Sequence, residues 1–409
     1  MKSPNIDCYR LDNGLRVVHI RRDSKVEYCG VAVRAGSRDE RADELGLAHF
    51  VEHTIFKGTQ SRTANRIINH MEAVGGELNA YTTKEETYVY SVFPYGNLRR
   101  AVDLISDLVL NSCFPDSELD KEREVVAEEI DSYLDQPAEA VFDDFDDIIF
   151  KGSSLGHNIL GSRSTLNNFD SKACRSFIER YYTAPNMVFF YLGPEPRAKV
   201  ERLIASYFAE IPTTEVSHCY NTPIEHTPTT VRRAHDENHQ AHTVMGCVIP
   251  SMYSPERYAL SMLNNIIGGP GMNSRLNVAL REKRGLVYSV DASTSLYSDT
   301  GLLSIYFGCN PEDNDRCRRL VEGELRRLAN HPLTERQLDR ARRQYLGQQI
   351  VASAAVEQVL LSCARQMLFM NSVRTADEMV DTINALTTAD IAAAAQYLQP
   401  ERFSSLTLG

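Results

Sequence analysis

The chain has 409 residues, 43% of them hydrophobic, and its 55 acidic residues outnumber 44 basic ones for a formal net charge of −11. That length accommodates two or more domains with sizeable cores, and the acidic balance argues against nucleic-acid binding while mildly favouring basic partners or substrates. Nine scattered cysteines, odd in number and without a CxxC pair, suggest neither a thiolate metal site nor a disulfide framework and fit a reducing compartment.

The opening MKSPNIDCYRLDNGLRVVHI carries no apolar run after its charged residue, so no signal peptide is expected. No stretch approaches the roughly 20 apolar residues needed to span a bilayer. The expectation is a soluble, cytoplasmic protein with no membrane partner.

The first segments alternate as strands do: GLRVVHI (14–20) and EYCGVAVRAG (27–36). A helical stretch containing AHFVEHTIF (48–56) follows, then a helix over 63–76 with Thr63 as its cap and Gly75–Gly76 as its stop. ELNAYTT (77–83) and ETYVYSVF (86–93) read as paired strands. Long helices are expected over 97–111, 117–134 with Ser117 capping, and 138–150. A helix at 171–182, the strand MVFFYLG and a helix at 196–209 close this half.

Residues 211–229 hold three prolines, five threonines and no periodicity, which marks a linker. The expected domains are therefore 1–210 and 230–409. After the linker the order restarts: a strand at 242–249, a helix at 255–267, the loop GGPGMNS, a helix, strands at 286–296 and 301–309, and long helices at 311–330 and 334–353. The second half thus repeats the first in element order. Strands grouped before helices indicate an α+β fold, two similar domains each with a mostly antiparallel sheet flanked by helices.

Chemistry concentrates in AHFVEHTIF. On a helix, positions i and i+4 share a face about 5–6 Å apart at Cβ, so His49 and His53 could hold one ion between their imidazoles. Glu52 projects beside the pair, where it could take a proton from water activated by the ion. HxxEH is the inverted order of the zincin motif. The plainer reading is two core histidines with a surface glutamate, and a third ligand decides between them. The helix ELDKEREVVAEEIDSYLD offers Glu118, Glu122, Glu124, Glu128 and Glu129. Glu122 and Glu129, seven apart, share a face that Val125 and Val126 would bury, and a carboxylate there needs a positive partner. Glu124 and Glu128 read as solvated.

GLAHFVEHTIFKGTQSRTANRIINHMEAVGGELNAYTTKEETYVY followed by EREVVAEEI resembles the catalytic half of the pitrilysin (insulinase-type) zinc metallopeptidases, and more closely their processing-peptidase branch. In that family HxxEH precedes the ligand glutamate by about 75 residues, which here selects Glu129. The resemblance implies Zn²⁺ on His49, His53 and Glu129, Glu52 as the catalytic base, and Glu122 orienting a ligand histidine. GGPGMNSRLNVALREKRGLVYSV (268–290) resembles the family's glycine-rich segment and its Arg…Tyr pair, falling on Arg281 and Tyr288. In the family these two groups face the catalytic domain across a closed chamber, of which this chain would form half of the clamshell.

The resemblance further implies a peptide substrate whose backbone lies against Asn79 and Ala80 of an edge strand. One catalytic half and one Arg/Tyr half in the chain suggest a homodimer, or a heterodimer with a paralogue, in which Arg281 and Tyr288 of one subunit complete the other's site. A non-catalytic chamber-forming partner is the alternative reading, and the intact HxxEH residues weigh against it. Asp143, Asp144, Asp146 and Asp147 read as a solvated face, with an acidic chamber wall as the alternative. His235, His239 and His242 read as surface residues, and His70 as packing with Ile67, Met71 and Val74.

Overall fold

The computed structural model describes residues 5–220, 227–234 and 239–409. The described residues form two compact units: one from 1–131, 157–220 and 355–376, the other from 132–156, 221–354 and 377–409.

The first unit is built on a six-stranded sheet of β1 (Asn5–Arg10), β2 (Arg16–Arg21), β3 (Val26–Val33), β4 (Glu77–Thr82), β5 (Thr87–Pro94) and β6 (Met187–Gly193), in the order β1-β2-β6-β3-β5-β4. Only the β2–β6 pairing is parallel. One face packs against α1 (Leu47–Thr54), α2 (Ala64–Glu72), α3 (Leu98–Asn111) and α4 (Asp116–Leu134), joined later in the chain by further helices. Every residue of β6 is buried, as an unbroken apolar run requires when both faces of a strand are covered.

Helix α5 (Pro137–Ile149) belongs to the second unit, and the chain returns to the first for α6 (Arg163–Leu166), α7 (Ser171–Tyr181) and α8 (Arg197–Tyr207). The second unit's sheet comprises β7 (Thr230–Arg233), β8 (Ala241–Ile249), β9 (Val287–Leu296), β10 (Gly301–Cys309) and β11 (Ser404–Leu408), in the order β7-β11-β8-β10-β9. Again one pairing, β7–β11, is parallel. One face packs against α9 (Arg257–Gly268), a π-helical turn (Asn277–Glu282), α10 (Asn314–Asn330), α11 (Glu335–Ala352) and, after α12 (Val356–Met370) and α13 (Ala376–Ala385), α14 (Thr388–Ala394). The run β2-β6-β3-β5-β4 matches β7-β11-β8-β10-β9 strand for strand, so the repeat seen in element order is a repeat of topology.

The units are not the sequence halves split at 211–229. Helix α5, from the first half, lays Val141, Phe145 and Ile149 on Val244, Leu302 and Leu406 of the second sheet. Helix α12, from the second half, covers the first sheet, where Arg16 Nη1 donates to the Met367 and Leu368 carbonyls at 2.9 and 3.0 Å. An amphipathic pattern says that a helix buries a face, not which sheet it buries it against. Phe145→Ala is accordingly expected to destabilise the second unit by about 3–5 kcal/mol, the usual cost of emptying a buried aromatic site. Urea unfolding measures it, and a loss under about 1 kcal/mol would mean that α5 does not anchor there.

Smaller readings also shift. Ser117 lies inside α4 rather than capping it, and residues 354–409, unread in the sequence, supply α12 to α14 and β11. Among the described residues no helix is long and apolar enough to cross a membrane.

Candidate metal centre

Helix α1 buries Leu47, Phe50, Val51 and Thr54 in the first unit's core, with the Phe50 ring 5.6 Å from that of Phe169. Anchored on that side, the helix brings His49 and His53 together with ring centroids 4.5 Å apart. Across from them α4 presents Glu129. Its Oε1 lies 3.8 Å from His49 Nε2, and its Oε2 lies 3.4 Å from His53 Nε2. Among the described residues these three form one set of potential ligand atoms lying within 4.8 Å of one another.

The spacing fits a shared ion better than direct hydrogen bonds, since both contacts exceed the ordinary N–H···O range. Two donors about 2.0–2.1 Å from a tetrahedral zinc would lie about 3.4 Å apart. The second ring nitrogen of His53, Nδ1, is 3.0 Å from Glu122 Oε1. It donates there, which in the neutral imidazole leaves the Nε2 lone pair toward Glu129. Nδ1 of His49 is buried without a hydrogen-bond partner. Burial and the neighbouring His53 hold the His49 pKa down to about 3, so this imidazole is neutral at physiological pH. Burial acts the same way on His53, but Glu122, Glu129 and Glu52 outweigh it and raise its pKa.

Glu122 is the buried carboxylate of α4, and Glu129 remains half-exposed. This corrects the expectation that both lie on a buried face. Leu119, Val126 and Ile130 make the apolar side of α4, whereas Val125 is 49% exposed. Burial alone would raise the Glu122 pKa, but hydrogen bonds from His53 and from Lys57, whose Nζ is 2.7 Å from Oε2, hold it below the usual carboxylate range. Lys57 was missed in the sequence because a lone lysine after a helix carries no signal. Glu122→Gln is expected to weaken zinc binding by about 10–100-fold, as losing an outer partner of a ligand histidine does. Competition against a chromogenic chelator measures this, and unchanged affinity would leave Glu122 a structural residue only.

Glu52 is half-buried beside β4. Burial raises its pKa, and hydrogen bonds with Thr82 work the other way. Three carboxylates (Glu52, Glu122, Glu129) thus surround the two imidazoles with Lys57 as a counter-charge, an arrangement that a dication would balance. Strand β4 is the sheet edge and carries Asn79 and Ala80, paired through β5 with Tyr90 and Val89. Thr82, the strand's last residue, was the contact that sequence spacing could not reveal.

Arg281 and Tyr288 belong to the second unit. Arg281 is exposed in the π-helical turn, on the wall of a cavity of about 500 Å³ shared with Asn264, Asn277 and Asp291. Tyr288 lies on β9, also a sheet edge, with its hydroxyl donating to Asn310 Oδ1 at 3.1 Å. Asp144 of α5 pairs with Arg233 at 2.6 Å. His70 Nε2 meets the Arg100 carbonyl at 3.2 Å, joining α2 to α3. Of the trio after the linker, His235 lies outside the described residues and His239 is exposed. His242 departs from its surface reading: it is half-buried on β8, with Nδ1 2.8 Å from the Tyr306 hydroxyl.

The family model described as Insulinase (Peptidase family M16) matches residues 16–163, the stretch with the whole metal cluster. A second, described as Peptidase M16 inactive domain, matches residues 168–345, the stretch with Arg281 and Tyr288. A Bacillus subtilis (strain 168) protein named uncharacterized zinc protease YmxG is 30% identical over 404 residues, 98% of this chain and 97% of its own. A Streptomyces coelicolor protein also named an uncharacterized zinc protease is 31% identical over 406 residues, 98% of this chain and 88% of its own. Among solved structures, a peptidase M16 inactive domain from Pseudomonas fluorescens superimposes with a TM-score of 0.90 at 18% identity, covering 99% of this chain and 98% of that one. A protease from Helicobacter pylori gives 0.88 at 21% identity, covering 99% of this chain and all of the other.

Proposed function

The chain belongs to the insulinase (M16) family of peptidases, also called the pitrilysin family, and from that premise we propose that it is a zinc-dependent endopeptidase cutting extended or unfolded peptides, of presequence or oligopeptide type, in a closed chamber. One observation carries the reading. His49, His53 and Glu129 converge at ion-sharing distances, and Glu52 hydrogen-bonds Thr82 of the edge strand β4 while interacting electrostatically with His53 and Glu129. Both curated relatives described above are named zinc proteases.

Zinc, when bound, supplies Lewis acidity that makes water a nucleophile near neutral pH. The remaining work falls to side chains. A substrate strand adds to β4 at Asn79 and Ala80 through main-chain hydrogen bonds, largely independent of its sequence. Glu52 accepts the proton of the attacking water and passes it to the leaving amine. Tyr288 donates to the developing oxyanion, and Arg281 holds a substrate carbonyl or carboxylate. Glu122 keeps His53 in the tautomer that offers Nε2 to the ion. Nine free thiols fit a cytoplasmic setting.

The test is cleavage of an internally quenched unstructured peptide by the purified protein, lost on chelation and restored by zinc. The second reading, a non-catalytic partner subunit, draws on the Pseudomonas fluorescens neighbour described as an inactive domain. It predicts bound zinc and no cleavage of any peptide in a mixed library.

The dimer has its own test. If Arg281 and Tyr288 of one subunit serve the zinc centre of the other, Glu52→Gln and Tyr288→Phe are each inactive alone. Mixed and allowed to exchange subunits, they regain activity, because one site in each mixed dimer has both groups intact. No recovery after demonstrated exchange, or a fully active monomer, rejects the shared site.

A further inference from the structure

Helix α1 has no side chain of its own at the N-cap. That position is Gly46 in the left-handed region at φ 97°, where a Cβ would lie 2.7 Å from the Leu160 carbonyl oxygen. The first amides of a helix still need acceptors. Here they come from Glu40, six residues earlier. Its Oε2 accepts from Gly46 N at 2.8 Å and its Oε1 from Ala48 N at 2.7 Å. The Glu40 side chain is fully buried.

The same carboxylate holds His157, whose Nε2 is 3.1 Å from Oε2. A carboxylate already taking two amide bonds acts as acceptor, so Nε2 carries the proton and donates. The carbonyl of His157 in turn accepts from Lys84 Nζ at 2.6 Å. Lys84 lies in the turn between β4 and β5, where Lys84, Glu85 and Glu86 are all buried. That turn is tied down by Ser37 N on the Thr83 carbonyl at 3.1 Å, Arg38 N on the Lys84 carbonyl at 2.7 Å, and Arg38 Nη1 on Glu85 Oε1 at 2.7 Å. The result is one continuous path: amides of the metal-bearing helix, Glu40, His157, Lys84, and the turn that ends the edge strand. His157 is also the first residue of the first unit after the chain's excursion through α5.

We infer that Glu40 and His157 are positioning residues that lock the N-terminus of α1 to the β4–β5 turn, so that Glu52 and the two imidazoles meet a peptide strand on β4 in one fixed register. The inference rests on the endopeptidase reading for its catalytic consequence, but not for the clamp itself. Because α1 and α4 build the ion site, loosening the clamp leaves zinc binding intact and misaligns the base and ion against the scissile bond. A displacement of about 1 Å at that distance costs up to about 10²-fold in rate.

The experiment compares His157→Ala, His157→Gln and Glu40→Gln with the wild type. Zinc affinity by chelator competition, kcat and KM on the quenched peptide, and amide hydrogen exchange at Gly46 and Ala48 in the metal-free protein are measured. The expected result for His157→Ala and Glu40→Gln is faster exchange at both amides, wild-type zinc affinity, little change in KM and a kcat lower by about 10–10²-fold. His157→Gln, whose amide can donate to Glu40, recovers most of the kcat. A fall in thermal stability with kcat unchanged would overturn the inference and leave Glu40 an ordinary helix cap. Gln at 157 behaving no better than Ala would overturn it for His157. If the wild type cuts no peptide, the endopeptidase reading fails separately. Exchange at Gly46 and Ala48 then decides the clamp alone, faster exchange supporting it and unchanged exchange rejecting it.

Discussion

Replacing Glu52 by glutamine is expected to lower kcat for peptide cleavage by about 10²–10⁴-fold, the usual worth of a positioned general base, while zinc content stays at the wild-type level. The two halves of that expectation have different sources. The loss follows from chemistry: an amide of the same shape can still meet Thr82 but cannot take a proton from water. The retention follows from geometry, because the three side chains placed to hold an ion, His49 and His53 on one helix and Glu129 on another, do not include Glu52. Quenched-peptide hydrolysis with zinc measured in the same sample reads both. Full activity in the variant would remove Glu52 from the mechanism. Loss of zinc would instead show that Glu52 helps to hold the ion.

The second large effect separates neighbours on α4. Glu129→Gln is expected to weaken zinc binding by more than the roughly 10–100-fold typical of losing an outer partner, and to take activity with it. Glu128→Gln, one residue earlier and exposed to solvent, is expected to change neither. Glu129 is itself half-exposed, so its replacement removes little packing and the variant is expected to fold normally. Equal zinc affinity for the two variants would mean that the third donor lies elsewhere. Together with Glu122→Gln, the series grades the carboxylates of one helix by their place around the two imidazoles.

Helical spacing alone was enough to place two imidazoles and a carboxylate on one short helix, because i and i+4 must share a face whatever surrounds them. The period-2 and unbroken apolar runs were likewise enough to locate most strands, β6 and β10 among them. Helix-face spacing had already set Glu128 aside as solvated, and the resemblance to the pitrilysin family then selected Glu129 as the ligand.

Tertiary structure decided what no local pattern encodes. Glu122 rather than Glu129 turned out to be the buried carboxylate, since burial depends on what packs over a helix and not on its own repeat. Lys57 and Thr82 meet Glu122 and Glu52 of the centre, while Glu40 and His157 hold the N-terminus of α1 from outside it, and each is an unremarkable polar residue in its own stretch of chain. The exchange of α5 and α12 between the units was equally invisible. An amphipathic helix advertises an apolar face, but either sheet of a repeated topology can accept it. Only the path of the folded chain determines which one does.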